Sequence, residues 1–382
     1  MKRHVIVLIV AMISWAVGLA RSERESTGRR SPTGSGVAVA QGQIFEKDFG
    51  VDKSSLANRG TNPYMILEPG YRLVLSDGKD TLEITVLNET RRVDAVDTRI
   101  VEERETQGGR LSEVSRNYFA LRPSTGDVYY FGEDVDVYDD AGNIAGHEGS
   151  WLSGLNGAHF GLLMPGSPEI GQGFYQELAP GIAMDRARIV SLEETVEVPM
   201  GEFDRCLKTE ESSGVEEGVE DKLYAPYVGL LREEAFRLDH VEVPKDLSGM
   251  PDPVSKTFRA EFPGAKIEKL DVEGEDGLVV YDFEFSEGHD EKETDITGAG
   301  TMLEHTLVVG PEDLPMPALQ AVRKAASGAA FGRIEQIEIS YRVANGRAVK
   351  LPAALTRYAV AWQGERKGEI VVDPEGNIIE SE

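Results

Sequence analysis

Apolar and polar residues alternate at every second position over most of this chain, and that period restricts it to antiparallel sheet. Across 81–87, Leu82, Ile84 and Val86 share one face, while Thr81, Glu83 and Thr85 take the other. Across 128–138, Tyr129, Phe131, Val135 and Val137 fall on one side. A period of two marks half-buried strands. Turn signals separate the runs: Ser76-Asp77-Gly78, Gly108-Gly109, Ser124-Thr125-Gly126-Asp127 and Asp140-Ala141-Gly142-Asn143. From 62 to 243 no segment keeps a helical pattern for three turns. The expectation for 61–243 is an antiparallel β-meander, a curved sheet or half-barrel around one core.

Two stretches interrupt the alternation. The segment 148–180 is Gly-rich and carries Trp151, His159 and Phe160. Long Gly-rich loops in strand-rich domains often bind ligands, so these three are candidate ligand-binding residues, with a plug for one end of the core as the plainer alternative. The segment 244–253, with Pro244, Gly249, Pro251 and Pro253, reads as a linker.

Beyond it the pattern changes. Asp252-Pro253 opens a helix with Val254, Phe258 and Phe262 at helical spacing, and alternating strands follow. A second helix places Leu319, Val322 and Ala326 on one stripe, again followed by strands. Gly300-Thr301-Met302-Leu303-Glu304 corresponds to Gly376-Asn377-Ile378-Ile379-Glu380. The repetition predicts a tandem of two helix-plus-four-stranded-sheet units, 254–310 and 311–382, and hence an α+β chain overall. Tyr358 and Trp362, on one strand face, are candidate partner-binding residues, with core packing as the alternative.

The N-terminus bounds the location. Lys2, Arg3 and His4 precede an apolar run ending in small residues, so 1–20 reads as a signal peptide and the protein as secreted or periplasmic. Residues 21–60, rich in Ser, Gly, Arg and Thr, read as a disordered lead segment. The formal charge of −27 opposes nucleic-acid binding, which needs clustered Lys and Arg. It leaves room for cations or a basic partner. Cys206 is the only cysteine, which excludes an intramolecular disulfide and a Cys-based zinc site.

Phe258-Arg259-Ala260-Glu261-Phe262-Pro263-Gly264-Ala265, the acidic alternating strands and the Gly-Asn-Ile-Ile-Glu end resemble the PepSY-like, β-lactamase-inhibitor-protein-like domains of exported bacterial proteins. The resemblance covers the last third of the chain. It implies a tandem helix-plus-four-strand fold, a periplasmic or extracellular location and a binding or inhibitory role, and it carries no ligand residues over. The second unit departs from the pattern, with Gly328-Ala329-Ala330-Phe331-Gly332 at its helix end. The first domain is similar to an uncharacterised family of exported bacterial β-rich proteins. Tyr130-Phe131-Gly132-Glu133-Asp134, Glu148-Gly149-Ser150-Trp151, Met164-Pro165-Gly166 and Tyr224-Ala225-Pro226-Tyr227-Val228-Gly229-Leu230 carry that likeness. The last strings suggest a lipoprotein-carrier-like curved sheet.

Catalytic signatures are missing. His147-Glu148 starts like a zinc-protease helix, but Trp151 stands where the second His belongs and Gly149 breaks the helix. There is no Gly-x-Ser-x-Gly elbow and no Walker-type loop. Asp134, Asp136, Asp139 and Asp140 form a candidate calcium site, since hard cations take clustered oxygens. Its EF-hand register is wrong, and solvated carboxylates on a strand and turn are the competing reading. Acid pairs such as Glu102-Glu103 split across a strand and cannot act together locally. The expectation is a non-catalytic exported binding protein for a protein partner or a small apolar or envelope ligand, without cofactor. The alternatives are an envelope hydrolase with a scattered site and a calcium-dependent structural component.

Overall fold

The computed structural model describes residues 45–214, 218–363 and 368–381. The predicted signal peptide and the predicted lead up to residue 44 lie outside the described residues. The alternating stretches become long strands: β1 (Arg72–Ser76), β2 (Thr81–Val93), β3 (Val96–Gln107), β4 (Arg110–Leu121), β5 (Val128–Tyr138), β6 (His159–Met164), β7 (Gly173–Tyr175), β8 (Glu177–Leu178), β9 (Arg186–Val198), β10 (Gly201–Ser212), β11 (Glu220–Ala225), β12 (Gly229–Glu233) and β13 (Phe236–Glu242). Two short strands, Ile144–Gly146 and Trp151–Leu152, add to β5, giving a 15-stranded sheet.

The strand order is β7-β9-β10-β11-β12-β13-β1-β2-β3-β4-β5-β6-β8. Its two edges, β7 and β8, are separated in the chain by Gln176 alone. β7 pairs with β9, Phe174 facing Ala187. β8 pairs with β6, Glu177 facing Phe160. One extended run, 173–178, therefore joins both edges, and the sheet closes as a barrel. Closure hides the backbone groups that an open edge would expose. Gly161 permits the joint: a Cβ there would lie 2.2 Å from the Gln176 carbonyl oxygen.

Uniform alternation fails at one place in β5. Asn117 faces Glu133 and Phe119 faces Tyr130, so three steps on β5 answer two on β4. Gly132 absorbs the extra residue with φ of 124°, and a Cβ on it would meet the Trp151 carbonyl oxygen at 2.3 Å. The resulting bulge turns both Tyr130 and Glu133 inward.

One end of the barrel is closed by the hairpin Thr61–Asn62 with Met65–Ile66. Buried Asn62 fastens it, donating to the Gly126 and Pro165 carbonyls at 2.8 and 3.1 Å and accepting from the Tyr64 N–H. Residues 45–60, whose composition reads as lead segment, run along the outer wall. Glu46 bridges to Phe174 and Ala57 to Leu121, Phe49 packs on Tyr129, and the Lys53 ammonium lies over the Phe160 ring.

The C-terminal part holds α1 (Asp252–Glu261), β14 (Lys266–Glu275), β15 (Leu278–Glu287), β16 (Asp290–Thr297), β17 (Met302–Val308), α2 (Met316–Ala326), β18 (Ala330–Val343), β19 (Ala348–Gln363), β20 (Gly368–Val372) and β21 (Ile378–Ser381). Its strands form one 8-stranded sheet in chain order. α1 stacks Phe258 on Phe283, ring centroids 4.3 Å apart. α2 sets Leu319 and Val322 over Tyr358, Val360 and Trp362. The barrel core continues into Phe258 and Phe283, Phe203 bridges to Gly277, and the described residues belong to one compact unit.

This architecture corrects the α+β expectation: the chain is mainly β, built of large antiparallel sheets. Among the described residues the α-helices number two, of 10 and 11 residues. Pairing of β17 with β18, Thr306 facing Ile337, merges the strands of both expected units into one sheet. No described helix is long and apolar enough to cross a membrane. The barrel's outer wall carries ion pairs, Arg72–Glu83 at 2.8 Å, Arg116–Glu102 at 3.2 Å and Lys208–Asp221 at 2.7 Å, where a lipid-facing wall would carry an apolar band.

Candidate functional site

Alternation inside a closed barrel puts every second side chain into the lumen. On β4 these are Phe119, Asn117, Ser115 and Glu113, a passage from apolar to acidic along one strand. On β3, Val101 gives way to Glu103, while Glu102 turns outward to Arg116. The result is a cavity of about 440 Å³, within the usual range for small-molecule sites. Its floor is apolar, made by Phe119, Val101, Ile84, Leu73, Leu230 and Met164 above the Tyr64–Ile66 turn.

Its other end is an acidic collar. Glu103, Glu113, Glu133 and Glu177 line one part of it, and Asp185, Glu211 and Glu233 line the part that holds Lys222, the one cation of the lining among the described residues. The collar opens into a depression of about 180 Å³ that shares Asp185, Glu211 and Lys222. The Lys222 ammonium lies 2.5 Å from Glu233 and 3.5 Å from Glu211. Burial works against its charge, but these carboxylates outweigh it and raise its pKa. Glu211 also accepts from the Thr209 hydroxyl at 2.9 Å and the Gln176 amide at 3.3 Å.

The other carboxyls are not paired to Lys222, although its charge offsets part of the upward shift of Glu103 and Glu177. Burial, and then the charge of Glu233, lifts Glu103 to about 7. Burial, and then Glu103, lifts Glu133 to about 8, against the opposing hydrogen bond from Tyr130. Burial and the charge of Glu133 push Glu177 well above the carboxylate range. These groups thus hold protons near neutrality that an ordinary Glu has lost. Glu103 and Glu177 are enclosed by protein yet face the cavity, and among the described residues neither carboxyl accepts a hydrogen bond or forms an ion pair. Also among the described residues, no three His, Cys, Asp or Glu side chains are arranged to hold a metal ion.

The residues singled out from sequence lie elsewhere. Trp151 is 4% exposed, packed edge-on against Tyr130 with its indole N–H unpartnered among the described residues. Phe160 stacks on Phe131 on the outer wall. His159 is exposed beside it. Phe160 thus lies on the outer side of the wall, whereas Trp151 packs behind the lumen residue Tyr130, and none of the three lines the cavity. Tyr358 and Trp362 are buried beneath α2.

The acidic run does not converge. Asp134 pairs with Arg91 and accepts from Tyr118. Asp136 pairs with Arg116 and His147. Asp139 accepts backbone N–H groups of its own turn, and Asp140 pairs with Arg110. Each carboxylate serves a different partner.

The lumen acids were not legible as a group because they come from β3, β4, β5, β8, β10, β12 and the segment before β9, distant in the chain. The strings that carried the first-domain likeness do reach the lumen. They supply Tyr130 and Glu133, then Met164, then Tyr224, Val228, Gly229 and Leu230.

No protein-family model matches the chain, and no curated protein matches it. Solved structures similar to it include a BLIP-like protein of Bacteroides fragilis, at 14% identity and TM-score 0.27, covering 35% of this chain and 85% of that one. DUF2874 family proteins of Bacteroides ovatus (14% identity, TM-score 0.27, 35% and 86% covered) and Bacteroides uniformis (15%, 0.27, 35% and 88%) are similar to the same extent. Likeness at this level does not extend to function.

Proposed function

We propose that this protein is an exported, non-catalytic binding protein that holds a small amphiphilic ligand in its barrel lumen. One observation carries the reading: a closed barrel whose interior is a cavity with an apolar floor and a polar rim at its open end, the form in which small barrels hold single ligands. The signal-like N-terminus supports export. Fluorescence titration with N-phenyl-1-naphthylamine tests it, comparing the wild type with Ile84→Trp, whose indole would occupy the floor. Saturable enhancement in the wild type, lost in a folded Ile84→Trp, is expected. Equal enhancement in both would place the probe elsewhere and remove the proposal.

A second reading draws on Glu133, a carboxyl protonated near neutrality in a cavity rich in other carboxyls, as general acids of glycoside cleavage are. Release of nitrophenol from aryl glycosides, abolished in Glu133→Gln, would favour this reading over simple binding.

A further inference from the structure

We infer that the lumen selects a cationic amphiphile: a hydrocarbon chain or ring on the floor, ending in an ammonium or similar organic cation among the collar carboxyls. The inference rests on the lumen being a binding site and adds the charge of its ligand.

Charge balance is the first support. Among the described residues seven carboxyls line the cavity against one Lys222, and that lysine is already engaged by Glu211 and Glu233. The second support is independent of charge counting. Glu103 and Glu177 are enclosed and face the cavity, and among the described residues they make no hydrogen bond or ion pair, Lys222 reaching them only through its charge. An enclosed carboxyl without a partner costs free energy, and a ligand cation would supply the missing partner. The third is geometric. The collar carboxyls are spread around the ring of strands, and no three converge as a metal ion requires among the described residues. An organic ammonium needs only one or two carboxyls beside it, whereas a metal ion needs several converging on one point. An anionic amphiphile would meet like charge at the rim, and a neutral one would leave Glu103 and Glu177 as they are.

Binding is electrostatic and proton-linked, with no covalent change. A collar carboxyl that holds its proton in the empty barrel gives it to solvent as the ligand's ammonium arrives, leaving a carboxylate beside the cation. Cation affinity therefore rises with pH through the neutral range.

Isothermal titration with octylammonium, octanoate and 1-octanol, at pH 7 in two buffers of different ionisation enthalpy, separates the possibilities. Octylammonium is expected to bind at least tenfold more tightly than 1-octanol, with octanoate weakest and protons released only with the cation. The double variant Glu103→Gln, Glu177→Gln should keep its 1-octanol affinity and lose the preference for the cation. Should that variant not fold, the wild type at pH 5 and pH 8 serves, with octylammonium at least fivefold tighter at pH 8. Octanoate or 1-octanol matching octylammonium, or an unchanged preference in the variant, would overturn the inference while leaving the lumen as a binding site. Failure of all three ligands and of the naphthylamine probe would overturn the binding reading itself.

Discussion

Glu103→Gln should raise the melting temperature at pH 8.5 and leave it unchanged near pH 4.5. In the folded protein burial and then Glu233 raise this carboxyl from 4.5 to about 7. A group held protonated by folding contributes its full stability below its unfolded value and loses it as pH rises through its folded value. The loss therefore occupies the window from about pH 4.5 to about pH 7. At about 1.4 kcal/mol per pH unit, it amounts to roughly 3 kcal/mol. Water admitted to the lumen softens the cost, so this is a ceiling. At roughly 2 °C per kcal/mol for a long chain, the gap between variant and wild type reaches about 6 °C. Glutamine keeps the shape and cannot ionise, so the difference between the two proteins reports this carboxyl together with its coupling to Glu133. Calorimetric scans at pH 4.5, 6, 7.5 and 9 read it directly. A gap that stays constant across this range, or a variant less stable than the wild type at pH 9, would refute the enclosed carboxyl.

Gly132→Ala should destabilise by about 2 kcal/mol or more, because its φ of 124° and the Trp151 carbonyl at 2.3 Å both oppose a Cβ; urea unfolding checks this. Cys206 is fully buried, and burial, then Asp204, pushes its thiol to about 12, so an aromatic disulfide reagent should label it only after denaturation. Millimolar calcium should shift the melting temperature by less than a degree, because Asp134, Asp136 and Asp140 each hold a separate arginine; calorimetry with calcium against chelator measures it.

The strands were legible because period-two alternation is a local property. Thr81–Val93 and Val128–Tyr138 emerge as β2 and β5, and the split of Glu102 from Glu103 follows from the same rule. What alternation cannot say is which polar face meets water. In β3 the outward Glu102 pairs with Arg116 while Glu103 faces a cavity, and only closure through Gln176 decides between them. One signal of closure was present: Tyr118 to Leu121 and Val128 to Phe131 are buried on both faces, as strands covered on both sides are. The Gly132 bulge was illegible because it depends on the Trp151 backbone crossing from a segment whose glycines read as loop. The α+β expectation failed for a related reason. Both helices were placed correctly by their stripes, around Phe258 and around Leu319 and Val322. Their weight in the fold depended on long-range pairing of β17 with β18, which no local period encodes.

The location of a bound amphiphile tests the account most directly. Crystals soaked with 8-bromooctylamine and measured at the bromine edge would show the halogen by anomalous scattering. The account predicts bromine on the lumen floor, beside Phe119 and Val101, with the amine end among the collar carboxyls. Bromine on the outer wall at Phe160, or an occupied lumen with the amine turned toward Tyr64 and Ile66, would contradict it.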